Sequence, residues 1–408
     1  MTATPKPIRI AIVLNGQEFI CHAVMLPFSL EGYPPVELVL YGRQPETPAP
    51  GLTVSPLPDL HPEGFDLILD GQFLTAGIAD FSPDRPDNLV TGPADPGFLQ
   101  SAGLHQLHVL ASIPAIPGRS FSSSQIKSTV RRHDSNPNLW AWYVVDEPDL
   151  NGISPAAVAQ ANRAVKRFGR KPTALVLYSG SEALHYAPIP DIMMIDRYPV
   201  PWLPLANFSQ HVRLARFAAG PKKPLIAVIQ AFDWNYHPEL LGNRPNLRVP
   251  TYEEIRCMTY SALAEGASGL FYYAYDDGKW RMKDHPETWD ALRKVAGEVN
   301  QRLPLFTARH PWSGVYVTYE DWESGWNESL NSAVTTTLLD VNVGNATVKK
   351  GRYVLSVNTT GCTLKFHVHL PITPGTIEVF EEDRSLMLSD GVFSDEIGPY
   401  AVHIYGPF

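Results

Sequence analysis

The chain has 408 residues, 44% of them hydrophobic, which suffices for a sizeable core and suggests two or three domains or one large barrel with an appendage. Its 33 basic residues against 42 acidic ones give a formal charge of −9, which argues against a nucleic-acid partner, because phosphate binding needs a basic face. Only 18% of the residues are charged, while 38 are proline and 11% are aromatic, a composition of rigid loops around a concave site and not of a disordered or coiled-coil chain.

The first residues carry one short apolar run, Ile10–Leu14, too short for the core of a signal peptide. No stretch approaches the roughly 18 apolar residues of a membrane helix. The expectation is a soluble, cytoplasmic protein with no membrane partner, any export signal being absent or removed. Cys21, Cys257 and Cys362 are odd in number and far apart, with no CxxC pair, which excludes a disulfide framework and a cysteine-based zinc site.

From about residue 36 to residue 303, β-rich runs alternate with helical stretches. The runs are Val36–Tyr41, Phe65–Asp70, Gln106–Ser112, Leu139–Val145, Thr173–Ser179, Asp191–Asp196, Leu225–Gln230 and Gly269–Tyr275. Several are almost continuously apolar, as parallel strands covered on both faces are. Eight is the count of a (β/α)8 barrel, although a doubly wound sheet alternates in the same way. The helices between them are punctuated. Ser154-Pro155 offers an N-cap with proline at the first helical position, and Thr251 with Glu254 forms a capping box. After about Leu305 the pattern turns to period two, with short strands split by Gly, Asn, Asp and Pro, which predicts a small antiparallel β-sandwich. The expected organisation is a lead-in segment with one strand (1–35), an α/β barrel of the TIM type (36–304) and a C-terminal β-sandwich (305–408). The run Ile8–Leu14 would pair with the sandwich or cover the bottom of the barrel. His367 and His369 lie two apart on a sandwich strand, but with no third ligand nearby they read as surface histidines. No metal and no cofactor is expected.

The most informative segment is Asn138–Pro148, NLWAWYVVDEP, where an apolar strand stops at two adjacent carboxylates and Pro148 blocks further ladder pairing. At the C-terminal end of a barrel strand such acids stand on the floor of the active site. Strand alternation sends Asp146 and Glu147 to opposite sides, so one of them points into the mouth. A carboxyl among Trp140, Trp142 and Tyr143 has its pKa raised by desolvation, as a general acid needs.

A fourth strand ending in Asp146-Glu147-Pro148 resembles that of the large (β/α)8 clan of glycoside hydrolases, in which Asn-Glu-Pro is the usual form. The segments Asp191–Pro199 (DIMMIDRYP), Pro224–Phe232 (PLIAVIQAF) and Gly266–Asp276 (GASGLFYYAYD) are similar to the sixth, seventh and eighth strands of such enzymes. The resemblance implies a (β/α)8 fold, a carbohydrate substrate and Glu147 as the acid/base. Two departures matter. Asp146 replaces the clan's Asn, and Gln230 stands where the clan's seventh strand has the nucleophilic Glu. An amide cannot form a glycosyl-enzyme ester, which leaves three explanations. Another carboxylate, Asp196 or Asp276, serves as nucleophile or as base for a water; the substrate supplies its own nucleophile; or the barrel has lost catalysis and only binds sugar.

The expected catalytic set is therefore Glu147 as proton donor with Asp196 or Asp276 in support. Asp70, Asp146, Tyr198, Gln230, Trp234, Tyr272 and Tyr273 are expected to bind substrate, the acids lying at strand ends and the aromatic faces suiting pyranose rings. The amide of Gln230 would hydrogen-bond a sugar hydroxyl or position a carboxylate. Arg197, Arg244, Arg248, Lys279 and Arg281 lie on the same loops and leave room for a charged sugar.

Overall fold

The computed structural model describes residues 89–105, 107–114, 121–241, 244–308, 310, 315–319, 333–370 and 375–408, together with the backbone of five short strands before residue 89. Four of those five form two antiparallel pairs, Ile10–Leu14 with Gln17–Cys21 and Pro27–Phe28 with Val36–Glu37. Ile10–Leu14 thus finds its partner in the next strand and not in the sandwich.

Eight parallel strands close a barrel. They are β1 (Asp66–Leu69), β2 (Leu89–Pro93), β3 (His108–Ser112), β4 (Leu139–Tyr143), β5 (Thr173–Leu177), β6 (Ile192–Asp196), β7 (Leu225–Gln230) and β8 (Gly269–Tyr273). The strand expected at Val36–Tyr41 is not among them. The missing member is Leu89–Pro93, whose Gly92-Pro93 reads as a turn in sequence. Here Gly92 is needed for a close approach, because a Cβ at that position would lie 2.2 Å from the ring of Phe98 on the following helix. The two discrepancies cancel, so Leu139–Tyr143 remains the fourth strand.

Strand alternation divides the apolar residues into two layers. Leu110, Ala141, Ala174, Val176, Met194, Ile226, Val228 and Phe271 fill the inside of the barrel. Their neighbours in sequence, among them Val109, Leu175, Ile195, Ala227, Ile229 and Tyr272, pack outward against the helices. The helix Pro155–Phe168 starts as expected, with the Ser154 hydroxyl accepting from Ala157 N–H. The helix Tyr252–Ala264 has both halves of its capping box. The helix Pro286–Gln301 buries Leu292, Val295 and Val299 on one face. No helix among the described residues is long and apolar enough to cross a membrane.

The C-terminal strands are β9 (Tyr316–Tyr319), β10 (Val334–Val341), β11 (Gly351–Asn358), β12 (Leu364–His369), β13 (Gly375–Glu378), β14 (Ser385–Leu388), β15 (Val392–Ile397) and β16 (Val402–Tyr405). Two three-stranded antiparallel sheets, β9-β12-β15 and β10-β11-β16, face each other, and β13 pairs with β14. Leu338, Val354 and Tyr405 of one sheet pack with Phe366, Val368, Phe393 and Ile397 of the other. The opposite face of β10-β11-β16, with Leu339, Tyr353, Leu355 and Ile404, joins the core behind the barrel helices. That sheet is therefore covered on both sides, which is why β11 is buried over Tyr353–Asn358 without alternation.

Candidate active site

The strand β4 gives out after Tyr143, its last interstrand bond running from Val144 N–H to Ala174 C=O at 2.9 Å. The chain then bends, and Glu147 takes a left-handed backbone conformation with φ of 39°. That geometry costs a non-glycine residue about 1–3 kcal/mol and persists only where its surroundings hold it. Asn151 does so, donating to Glu147 C=O from its backbone N–H at 2.9 Å and from Nδ2 at 3.0 Å. Asp149 ties the same loop to the end of β5, its carboxylate accepting from Tyr178 N–H at 3.2 Å and Ser179 N–H at 2.7 Å. Because of the bend, Asp146 and Glu147 do not diverge as alternation within a strand demands. Both act on Asp196.

Asp196 is the last residue of β6 and shares the inward parity of Met194, so it stands at the top of the barrel interior, 5% exposed. The Glu147 carboxyl and the Tyr198 hydroxyl stand near enough to act on it, Glu147 raising its pKa and Tyr198 lowering it. Its Oδ1 is buried with no partner among the described residues. Burial pushes the Glu147 carboxyl up to about 7 and the charge of Asp146 adds to the rise, while the contact with Asp196 and the positive charge of Arg197 oppose it. Asp196 is raised well above the ordinary carboxylate range, first by burial and then by the charges of Glu147 and Asp146. Neighbouring buried carboxyls resist ionising together, which favours retention of a proton at the pair. Asp146 keeps contact with solvent, yet crowding by the protein raises its carboxyl as well, against the Tyr143 hydroxyl that donates to it at 2.6 Å.

An aromatic wall adjoins the acids. Tyr198 stacks on Tyr273 with centroids 5.5 Å apart and meets the edges of Phe232 at 5.2 Å and Trp234 at 6.2 Å. Trp234 in turn lies 5.5 Å from Trp202. Tyr198, Trp234 and Tyr273 are thus brought together with Asp146, Glu147 and Asp196. Tyr272 is not. The alternation that turns Tyr273 inward turns Tyr272 outward, where its hydroxyl lies 2.9 Å from Thr259 Oγ1 on the helix Tyr252–Ala264.

Gln230 faces inward but is closed off from a ligand by burial. It is fully buried, its Oε1 accepts from Val200 N–H at 2.9 Å, and its Nε2 donates to the carbonyls of Val200 at 2.9 Å and Phe232 at 3.3 Å. In place of the expected sugar contact it braces the loop after β6 against the end of β7. Asp276 closes a turn after β8, accepting from Gly278 N–H at 2.9 Å with Arg281 Nε 3.9 Å away. It is not among the largest influences on Glu147 or Asp196. Asp70 lies outside the described residues. His367 and His369 bond Ser394 and Thr318 on neighbouring strands, and no group of three metal-ligating side chains occurs among the described residues. Asp149 and Asn151, which hold Glu147, escape the sequence reading. Their only signal is turn chemistry, Asp149 directly after Pro148 and Asn151 two residues further on.

No protein-family profile matches the chain, and no curated protein matches its sequence. Among solved structures, the α-amylase of Geobacillus thermoleovorans in complex with acarbose has a TM-score of 0.51 at 10% identity, covering 84% of this chain and 98% of that one. A β-galactosidase of Bacillus circulans sp. alkalophilus has a TM-score of 0.56 at 9% identity, again over 84% and 98%. The chain is similar to both in fold, a (β/α)8 barrel.

Proposed function

We propose that the protein is a glycoside hydrolase acting on an oligo- or polysaccharide, with Glu147 as the proton donor and Asp196, rather than Asp276, as the second carboxyl. One observation carries this reading: at the mouth of a glycosidase-type barrel, a carboxyl that burial pushes up to about 7 stands beside a second buried carboxyl at the end of β6. A glycosidic oxygen is a poor leaving group until protonated, and an acid with a pKa near 7 is still protonated at neutral pH yet strong enough to give its proton up. Glu147 would protonate the leaving oxygen as the C–O bond breaks. Asp196 would stabilise the positive charge developing at the anomeric carbon, and water would complete the exchange while Glu147 recovers a proton from it. The stacked rings of Tyr198 and Tyr273 and the edge of Trp234 would hold the sugar.

The competing reading, a carbohydrate-binding barrel without catalysis, draws on Gln230 at the strand-seven position. Product release from a broad panel of oligosaccharides, polysaccharides and aryl glycosides separates the two, comparing wild type with Glu147→Gln. Turnover by wild type that the variant loses supports hydrolysis. Equal turnover in both sinks Glu147 as the acid, and saturable binding with no turnover in either favours the binding barrel.

A further inference from the structure

Of the five basic residues on the mouth loops, three are neutralised. Arg248 meets the Glu254 carboxylate through both terminal nitrogens, at 2.6 and 2.7 Å. Lys279 pairs with Glu239, and Arg281 lies 3.9 Å from Asp276. Arg197 and Arg244 are different: neither has a carboxylate within ion-pair distance among the described residues. Each lies against an aromatic ring instead, Arg197 at 4.2 Å from the centroid of Tyr178 and Arg244 at 5.5 Å from that of Trp202. Arg197 uses Nε to donate to Asn207 Oδ1 at 2.6 Å, which orients the guanidinium, and its two terminal nitrogens have no hydrogen-bond partner among the described residues. In a chain of net charge −9, two cations on the loops of one site with no ion-pair partner among the described residues call for a reason.

Their placement supplies one. Arg197 follows Asp196 directly and is the positive charge that acts on Glu147. Arg244 is reached from the same acids along the ring contacts Tyr198, Trp234 and Trp202. A guanidinium stacked on a ring is preorganised and weakly hydrated, and its free fork matches the two oxygens of a carboxylate or a sulfate. We propose that the saccharide bound at this mouth is anionic, carrying carboxylate or sulfate groups that Arg197 and Arg244 receive while the aromatic wall takes the sugar faces. The neighbouring acids do not forbid an anion, because burial favours the neutral forms of Glu147 and Asp196. The inference rests on the mouth being a saccharide site.

The test is calorimetric titration of the full-length Glu147→Gln protein with matched pairs that differ only in charge: oligogalacturonate against its methyl ester, and a sulfated galactan oligosaccharide against its desulfated form. One of the charged members should bind about tenfold or more tighter than its neutral twin, and the difference should shrink with added salt. The pair that shows it tells carboxylate from sulfate. R197Q and R244Q should each remove most of that preference and leave binding of the neutral twin unchanged. R244Q, altered on an exposed loop, keeps the test valid if R197Q proves less stable on thermal unfolding. Neutral twins binding as tightly as charged ones, no binding of either charged probe, or a preference that survives both substitutions would overturn the inference. Turnover of neutral saccharides without charge preference would also overturn it while leaving the hydrolase reading intact. Charge-selective binding without turnover would do the reverse.

Discussion

The barrel mouth and the sheet β9-β12-β15 each hold buried acids, and the two regions treat them in opposite ways. In the sheet, Asp395 receives Arg384 through both terminal nitrogens at 2.7 and 2.9 Å, lies 2.9 Å from His403 Nδ1, and accepts from the Tyr405 hydroxyl at 2.8 Å. Burial works to raise its pKa, but His403, Arg384 and Tyr405 together outweigh burial and hold the carboxyl well below the usual range. At the mouth, burial works in the same direction on Glu147 and Asp196, and the nearest charges are mostly other acids, so both rise. Burial alone therefore does not mark a functional acid. The supply of donors decides: saturated, an acid is a clamp, and starved of donors it retains a proton that it can transfer.

The contrast is broken most directly at Glu147. Glu147→Gln should lower kcat/KM by about 100- to 10,000-fold on whichever saccharide is turned over, as loss of a general acid does. Wild-type activity should fall as pH rises past about 7, where Glu147 loses its proton. The sign of the stability effect follows from the same shift. The folded state holds this proton more tightly than the unfolded chain, whose value is near 4.5, so stability should decline between about pH 4.5 and pH 7, and the variant should lose Glu147's share of that slope in urea titrations while buried Asp196 keeps its own.

Asp395→Ala should act on stability and not on turnover. It leaves Arg384 with Glu382 alone of its carboxylate partners, takes a partner from His403 and Tyr405, and should cost on the order of 3 kcal/mol in urea unfolding. Because the folded pKa of Asp395 is lowered, this contribution is present above the unfolded value of about 3.8 and lost as the pH falls below it. Equal stability of variant and wild type at neutral pH would erase the distinction between clamp and proton donor.

A smaller effect is expected at Gln230. Gln230→Glu restores a carboxylate to strand seven, but places it against the carbonyls of Val200 and Phe232. It should destabilise by about 1–3 kcal/mol, the cost of unsatisfied buried polar groups, and yield no gain in turnover. A rise in activity would revive Gln230 as a lost nucleophile. Thr251→Ala, which removes one half of a capping box remote in kind from either acid cluster, should cost only about 1 kcal/mol and leave kcat/KM unchanged.

Much of the fold was legible because strand and helix periods are properties of the chain itself. The apolar runs of β3 to β8 stand out, whereas β2 is hidden by Gly92-Pro93, whose meaning depends on the Phe98 ring laid across it. At the site, Glu147 and Asp196 were legible from their places at strand ends. Tyr272 against Tyr273 was decidable in principle, since one period assigns them to opposite faces. Gln230, Asp276 and the division of the arginines were not, because each depends on which backbone group or counter-charge a tertiary neighbour presents. The bend that brings Asp146 and Glu147 to the same partner is likewise fixed by Asn151 and Asp149 only once the loop has folded onto β5.

The central claim is that Glu147 keeps its proton to near neutrality because of where it stands. Carbon-13 NMR titration of glutamate carboxyls in wild type and Glu147→Gln tests this without requiring a substrate. The account predicts one carboxyl titrating at about 7 in wild type that is missing from the variant. Glutamate carboxyls that all titrate near their ordinary value of about 4.3, in both proteins alike, would contradict it.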